Sequence, residues 1–148
     1  MIEQPIEECI DRWHRHLRGE LPGGLDELLH DDVVFYSPVV FTPQRGKEIT
    51  TLYLEAAGAT FGGDRDAAPP DGSGGAGLGK LRYVNETMSG RTAVLEFETE
   101  MDGKYVNGVD IITCDDDGKI VEFKVMIRPL QAINAVHEAM RAMLERMR

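Results

Sequence analysis

The stretch "YVNGVDIITCDDDGKIVEFKVMI", residues 105 to 127, decides the fold. Two runs rich in β-branched and aromatic residues flank "DDDGK", which has the chemistry of a tight turn, so the stretch predicts two antiparallel strands. Val121, Phe123, Val125 and Ile127 alternate with Glu122 and Lys124, giving the second strand one apolar and one polar side. Upstream, "TAVLEFETEM" alternates Ala93, Leu95, Phe97, Thr99 and Met101 with Val94, Glu96, Glu98 and Glu100. "KLRYVNETM" precedes it, and "SGR" and "DGK" supply turns between these runs. Four consecutive strands with short turns predict a meander that is apolar on one face and mostly polar on the other. "DDDG" is read as a turn and not as a calcium loop, because EF-hand spacing requires acids at the positions of Thr113 and Lys124.

The flanking segments read as helices. Pro5 suits a first turn, and Ile6, Cys9, Ile10, Trp13 and Leu17 recur at helical spacing over residues 5 to 18. "LDELLHDD" predicts a short second helix, and "VVFYSPVVF" a strand interrupted by Pro38. "GKEITTLYLEAAG" predicts a third helix through Ile49, Leu52, Tyr53 and Ala56, stopped by Gly58. Residues 59 to 79 lack periodicity and predict an irregular Gly/Pro-rich loop. "PLQAINAVHEAMRAMLERMR" predicts a closing helix with Leu130, Ile133, Val136, Met140, Met143, Leu144 and Met147 as its packing stripe. The order α-α-β-α-β-β-β-β-α implies an α+β fold whose curved, mainly antiparallel sheet is covered on its apolar face by the preceding helices.

The 148 residues and 42% hydrophobic content suit one domain spanning 1–148 with a real core. A formal net charge of -10 repels phosphate backbones and anionic lipid, so neither nucleic acid nor a membrane is an expected partner. No signal-like or membrane-spanning run occurs in the sequence, and a cytoplasmic location is expected. Cys9 and Cys114 form no disulfide framework and are expected as buried thiols. His14 and His16 point about 200° apart on a helix and cannot grip one metal from it. No cofactor or metal is expected. "GGAGLGK" contains G-x-x-x-x-G-K, but Leu81 stands where a P-loop needs Ser or Thr, and a strand pattern follows where it needs a helix.

Asp110 stands out as an acid in a strand otherwise built from Val106, Val109, Ile111 and Ile112. It either faces solvent or is buried with a raised pKa and the ability to donate a proton. Gly108, Ile112 and Cys114 share its side, Asn107, Val109, Ile111 and Thr113 the other, and the alternation does not choose between them.

Three local patterns carry a family resemblance: "LDELLHDDVVFYSP…RGKEI", "VDIITCDDDGKIVEF" and "RPLQAINAV". In this order they resemble the nuclear transport factor two-like superfamily, which includes ketosteroid isomerases, SnoaL-like polyketide cyclases, scytalone dehydratase and limonene epoxide hydrolase. The resemblance covers nearly the whole chain apart from the 59 to 79 loop. It implies a cone-shaped sheet wrapped around helices, an interior apolar pocket for a small hydrophobic molecule, and a homodimer formed through the outer sheet face. Asp110 falls where the isomerases hold a protonated aspartic acid that donates to the substrate oxyanion, which makes it the candidate acid/base and pocket-facing. The isomerase base position is occupied by Ser37, and the oxyanion tyrosine position by Trp13. Serine is no base at neutral pH without an activator, so the standard isomerase route is not expected. Trp13, Phe35, Ser37, Tyr53, Phe97 and Phe123 are the expected pocket residues, and loop 59 to 79 a candidate flap over them. A non-catalytic module for ligand or protein binding is the alternative.

Overall fold

Ile6, Cys9, Ile10 and Trp13 are all buried, and this stripe docks the first helix, α1 (Pro5–Leu17), onto a β-sheet. The structure is a computed structural model that describes residues 4–60, 81–101 and 103–146. α2 (Gly24–Leu28), β1 (Leu29–Tyr36), β2 (Gln44–Arg45), α3 (Lys47–Thr60), β3 (Arg82–Ser89), β4 (Thr92–Met101), β5 (Lys104–Cys114), β6 (Ile120–Arg128) and α4 (Leu130–Arg146) follow. The fold is α+β, with a curved, open sheet ordered β2-β1-β6-β5-β4-β3. β3 to β6 form the expected antiparallel meander, while β1 joins β6 in parallel through Phe35 opposite Phe123.

The meander follows the alternation in the sequence. Ala93, Leu95, Phe97, Thr99 and Met101 are buried, whereas Val94, Glu96, Glu98 and Glu100 face outward. On β5 the buried side is Val106, Gly108, Asp110, Ile112 and Cys114, so Asp110 lies on the apolar face. Bulges between Tyr83 and Asn85 and between Thr113 and Cys114 shift the register and add local bend. The "DDDG" segment is a turn: Asp115 Oδ1 accepts from the amides of Asp117 and Lys119, both at 2.9 Å, and Gly118 adopts φ 80°.

Several boundaries differ from the sequence reading. α2 stops at Leu28, because Leu29 already pairs with Ile120 in the sheet, so "LHDD" is strand. β2 is a short added strand that the turn residues around Pro43 did not reveal. α3 runs through Gly58 to Thr60, and it buries Thr50, Leu54 and Ala56, while Ile49 and Leu52 line a hollow on its outer side. α4 packs through Ala132 and Val136, with Ala135, Ala139 and Met140 partly buried, and Leu130 is 70% exposed. Small side chains bring α4 close to α3 and to β4, β5 and β6, so this last helix also covers the apolar face. Of the segment expected as a loop and candidate flap, residues 61 to 79 with the glycine-rich motif lie outside the described residues, and the chain re-emerges as β3. That strand is extended where a P-loop would require a helix. No helix among the described residues is long and apolar enough to cross a membrane.

Gly108 has a steric reason to be glycine. A Cβ there would sit 2.5 Å from Phe97 Cζ and 2.5 Å from the Met126 carbonyl oxygen. The Phe97 ring lies over the strand at the point where no side chain rises. Gly108→Ala is expected to lower stability by about 1–3 kcal/mol through overpacking, measured as a lower urea midpoint with an unchanged m-value.

Candidate functional site

The buried face of the sheet carries two apolar clusters. One holds Trp13, Phe35, Leu95, Ile112 and Phe123, and the other Phe97, Met101, Val106, Ala132 and Val136. Tyr83 and Val125 pack against both. Asp110 lies at this seam, between Leu95 on β4 and Val125 on β6, and is 6% exposed. A carboxyl group in such surroundings is costly to ionise.

Tyr83 Oη donates to Asp110 Oδ2 at 2.6 Å, and Trp13 Nε1 donates to Tyr83 Oη at 3.0 Å. α1, β3 and β5 therefore meet in one hydrogen-bonded chain. The Asp110 carboxyl is raised from 3.8 to about 7 because burial, which drives it up, outweighs donation from Tyr83, which draws it down. Tyr83 is raised well above the usual tyrosine range by burial, by the charge of Asp110 and by their shared hydrogen bond, against a smaller lowering from Trp13. A carboxyl near 7 is half protonated at neutral pH, suited to give or take a proton.

Tyr83 is held in place from two sides. Its ring meets Phe97 edge-on at 6.4 Å between centroids and His14 at 5.7 Å. His14 Nε2 lies 2.8 Å from Glu86, tying α1 to β3 beside the tyrosine. His14 thus bridges the two elements, and the His16 ring lies 5.6 Å from that of Trp13. Cys9 and Cys114 are buried free thiols in mutual contact, both raised by burial and so inert. No cluster of His, Cys, Asp or Glu able to hold a metal occurs among the described residues.

No protein-family model matches the sequence, and no curated protein matches it. Solved structures do. A steroid delta-isomerase from Pseudomonas aeruginosa is 28% identical, with 99% of this chain and 96% of that one covered and a TM-score of 0.79. A protein with a cystatin-like fold from Silicibacter pomeroyi is 24% identical over 94% of this chain and 86% of that one, with a TM-score of 0.71. An NTF2-like protein of unknown function from Mesorhizobium loti, 17% identical over 87% of this chain and 98% of that one, shares the fold at a TM-score of 0.62. The chain shares the nuclear transport factor two-like, cystatin-like fold of these proteins.

Of the residues that the superfamily resemblance singled out, Trp13, Phe35, Tyr53 and Phe123 come together. Trp13 meets Phe123 at 5.1 Å, Phe123 meets Phe35 at 6.0 Å, and Phe35 stacks on Tyr53 at 5.4 Å. Phe97 stands apart in the second cluster, beneath Tyr83. Ser37 lies just past the last paired residue of β1, and its Oγ accepts from the amides of Val39 at 3.1 Å and Val40 at 3.3 Å. It serves the turn around Pro38. Two surface hollows among the described residues, one on the outer sheet face around Asn107, Met126 and Arg128 and one along α3, do not border Asp110. The weight therefore rests on the chemistry of the buried acid and not on surface concavity.

Tyr83 is the site residue that sequence reasoning missed. β3 is exposed along most of its length, so its alternation marks no inward face. Gly108 was the available signal, since a glycine inside a strand marks a close approach, here of the ring on which Tyr83 leans.

The raised carboxyl has a thermodynamic consequence. Between 3.8 and about 7 the folded state keeps a proton that the unfolded chain has released. Stability therefore falls as pH rises through that window and levels off above it. Asp110→Asn has no charge to desolvate, so its melting temperature relative to the wild type is expected to climb from about pH 4 to about pH 8. Parallel melting curves across that range would contradict a buried, proton-holding Asp110.

Proposed function

We propose that the chain binds a small, uncharged hydrophobic molecule against its apolar face and acts on it as a cofactor-free isomerase, cyclase, dehydratase or hydrolase, with Asp110 as acid/base. The observation that carries this reading is the Asp110 carboxyl, buried between Leu95 and Val125 and held at 2.6 Å by the Tyr83 hydroxyl. Support comes also from the likeness to a protein described as a steroid delta-isomerase. The chemistry differs from the two-carboxylate isomerase route. Ser37 is engaged by two backbone amides and has no base hydrogen-bonded to it among the described residues, so one group, Asp110, gives and takes the proton. An apolar interior favours a neutral ligand, and a partly protonated acid favours one with a hydrogen-bond acceptor such as a ketone or epoxide oxygen. Tyr53 and Tyr83, the half-buried rings, mark the sides from which the ligand reaches the aromatic cluster.

A thermal-shift screen against steroids, terpenoid epoxides and aromatic polyketides identifies the ligand class, because specific binding stabilises the folded state. On a substrate so found, Asp110→Asn is expected to lower kcat by about 10²- to 10⁴-fold with folding intact, whereas Ser37→Ala leaves kcat within a few-fold. Unchanged turnover in Asp110→Asn would end the catalytic reading.

A second reading, a non-catalytic homodimeric module, is favoured by one observation: the outer sheet face exposes Val94 at 38%, Tyr105 at 41% and Met126 at 51%. A monomer in sedimentation at micromolar concentration would exclude the dimer.

A further inference from the structure

We infer that Trp13 is a positioning residue that acts through Tyr83: its donor-only indole N–H sets the direction of the hydrogen-bonded chain and leaves the Asp110 proton on Oδ1, free for a ligand oxygen. The inference rests on the proposed role of Asp110 and deepens it.

An indole N–H donates and never accepts, and a phenol has one proton to give. Trp13 Nε1 stands 3.0 Å from Tyr83 Oη, so the tyrosine proton cannot turn toward it. On the other side stands Asp110 Oδ2 at 2.6 Å, and a buried hydroxyl proton goes to the acceptor it has. Oδ2 is then occupied as an acceptor, and a proton on neutral Asp110 resides on Oδ1. In the forward step the Oδ1–H bond breaks and a ligand carbonyl or epoxide oxygen takes the proton. The carboxylate left behind is stabilised by Tyr83, whose donation is strengthened because Trp13 polarises its oxygen. Without the indole donor the tyrosine proton is free to rotate, and Tyr83 can accept from Asp110 and so compete with the ligand.

The packing makes this arrangement rigid. Trp13 is 5% exposed, one turn beyond Cys9 and Ile10 on the buried stripe of α1, with its ring edge-on to Phe123. His14 and Glu86 are the titratable groups flanking Tyr83, from α1 and β3. Trp13 therefore reaches the candidate acid only through Tyr83, and it does not offer its N–H to a ligand in the way the oxyanion tyrosine of the isomerases does.

The experiment follows the Asp110 titration by the carboxyl ¹³C resonance of aspartate-labelled protein, which needs neither ligand nor activity. Tyr83→Phe is expected to raise the Asp110 midpoint by about one pH unit, since it removes a hydrogen bond to a charged group. Trp13→Phe is expected to raise it by a smaller amount, about a quarter of a unit, and to add nothing in the Tyr83→Phe background. Trp13 is the chain's single tryptophan, so biosynthetic replacement by benzothienylalanine, with sulfur in place of N–H, repeats the test at constant shape if the phenylalanine variant folds poorly. Phe123→Leu disturbs the packing of Trp13 without touching its donor and should leave the midpoint in place. An unmoved midpoint on loss of the indole N–H, or an equal shift with and without the Tyr83 hydroxyl, overturns the inference. If the titrations come out as expected while Asp110→Asn retains turnover, the relay stands and the catalytic reading falls.

Discussion

Keeping one carboxyl group out of water on an apolar sheet face is the constraint on which the rest of the site depends. Among the described residues Asp110 gains no ion pair from the strands beside it, whose facing residues are Leu95 and Val125. What it has is a hydroxyl, and bringing that hydroxyl to it engages three strands and a helix. Gly108 omits a side chain, the Phe97 ring occupies the space, and Tyr83 rests on that ring. α1 closes the arrangement with Trp13, and its docking depends in turn on Ile6, Cys9 and Ile10. The site is thus a by-product of core packing, with one polar line drawn through it.

The fold was largely legible because periodicity reports burial. The meander could be read from the alternation on β4 and the turns at Gly90, Gly103 and Gly118, each with positive φ. The parallel contact of β1 with β6 could not, since it joins distant segments whose own patterns are equally compatible with either sheet edge. Nor could the inward face of α3, where apolar residues surround the helix and Thr50 is among the most buried. For α4 the large residues suggested the packing stripe, yet close approach selected the alanines.

The candidate site was legible in Asp110 and Trp13 but not in the residue that links them. Asp110 was conspicuous as an acid among β-branched residues, but its side of the strand was ambiguous until Gly108 and Cys114 proved to face the core. Trp13 was noticed for its place on the first helix, and its partner Tyr83 was not, because a hydrogen bond across 70 positions leaves no trace in local pattern. Ser37 looked like chemistry and is a turn residue. Short polar side chains beside proline often serve the backbone in this way.

The edges of the sheet limit how this molecule can meet others. Among the described residues β2 and β3 are the rims, one only two residues long and the other bulged at Tyr83 and carrying Arg82, Asn85 and Glu86. Short, kinked or charged rims resist the addition of a further strand. Association by strand pairing is therefore disfavoured at both ends, which leaves the broad outer face, with Val94 in line with the glutamates of β4 and Met126 between Lys124 and Arg128 on β6, to side-chain contact alone.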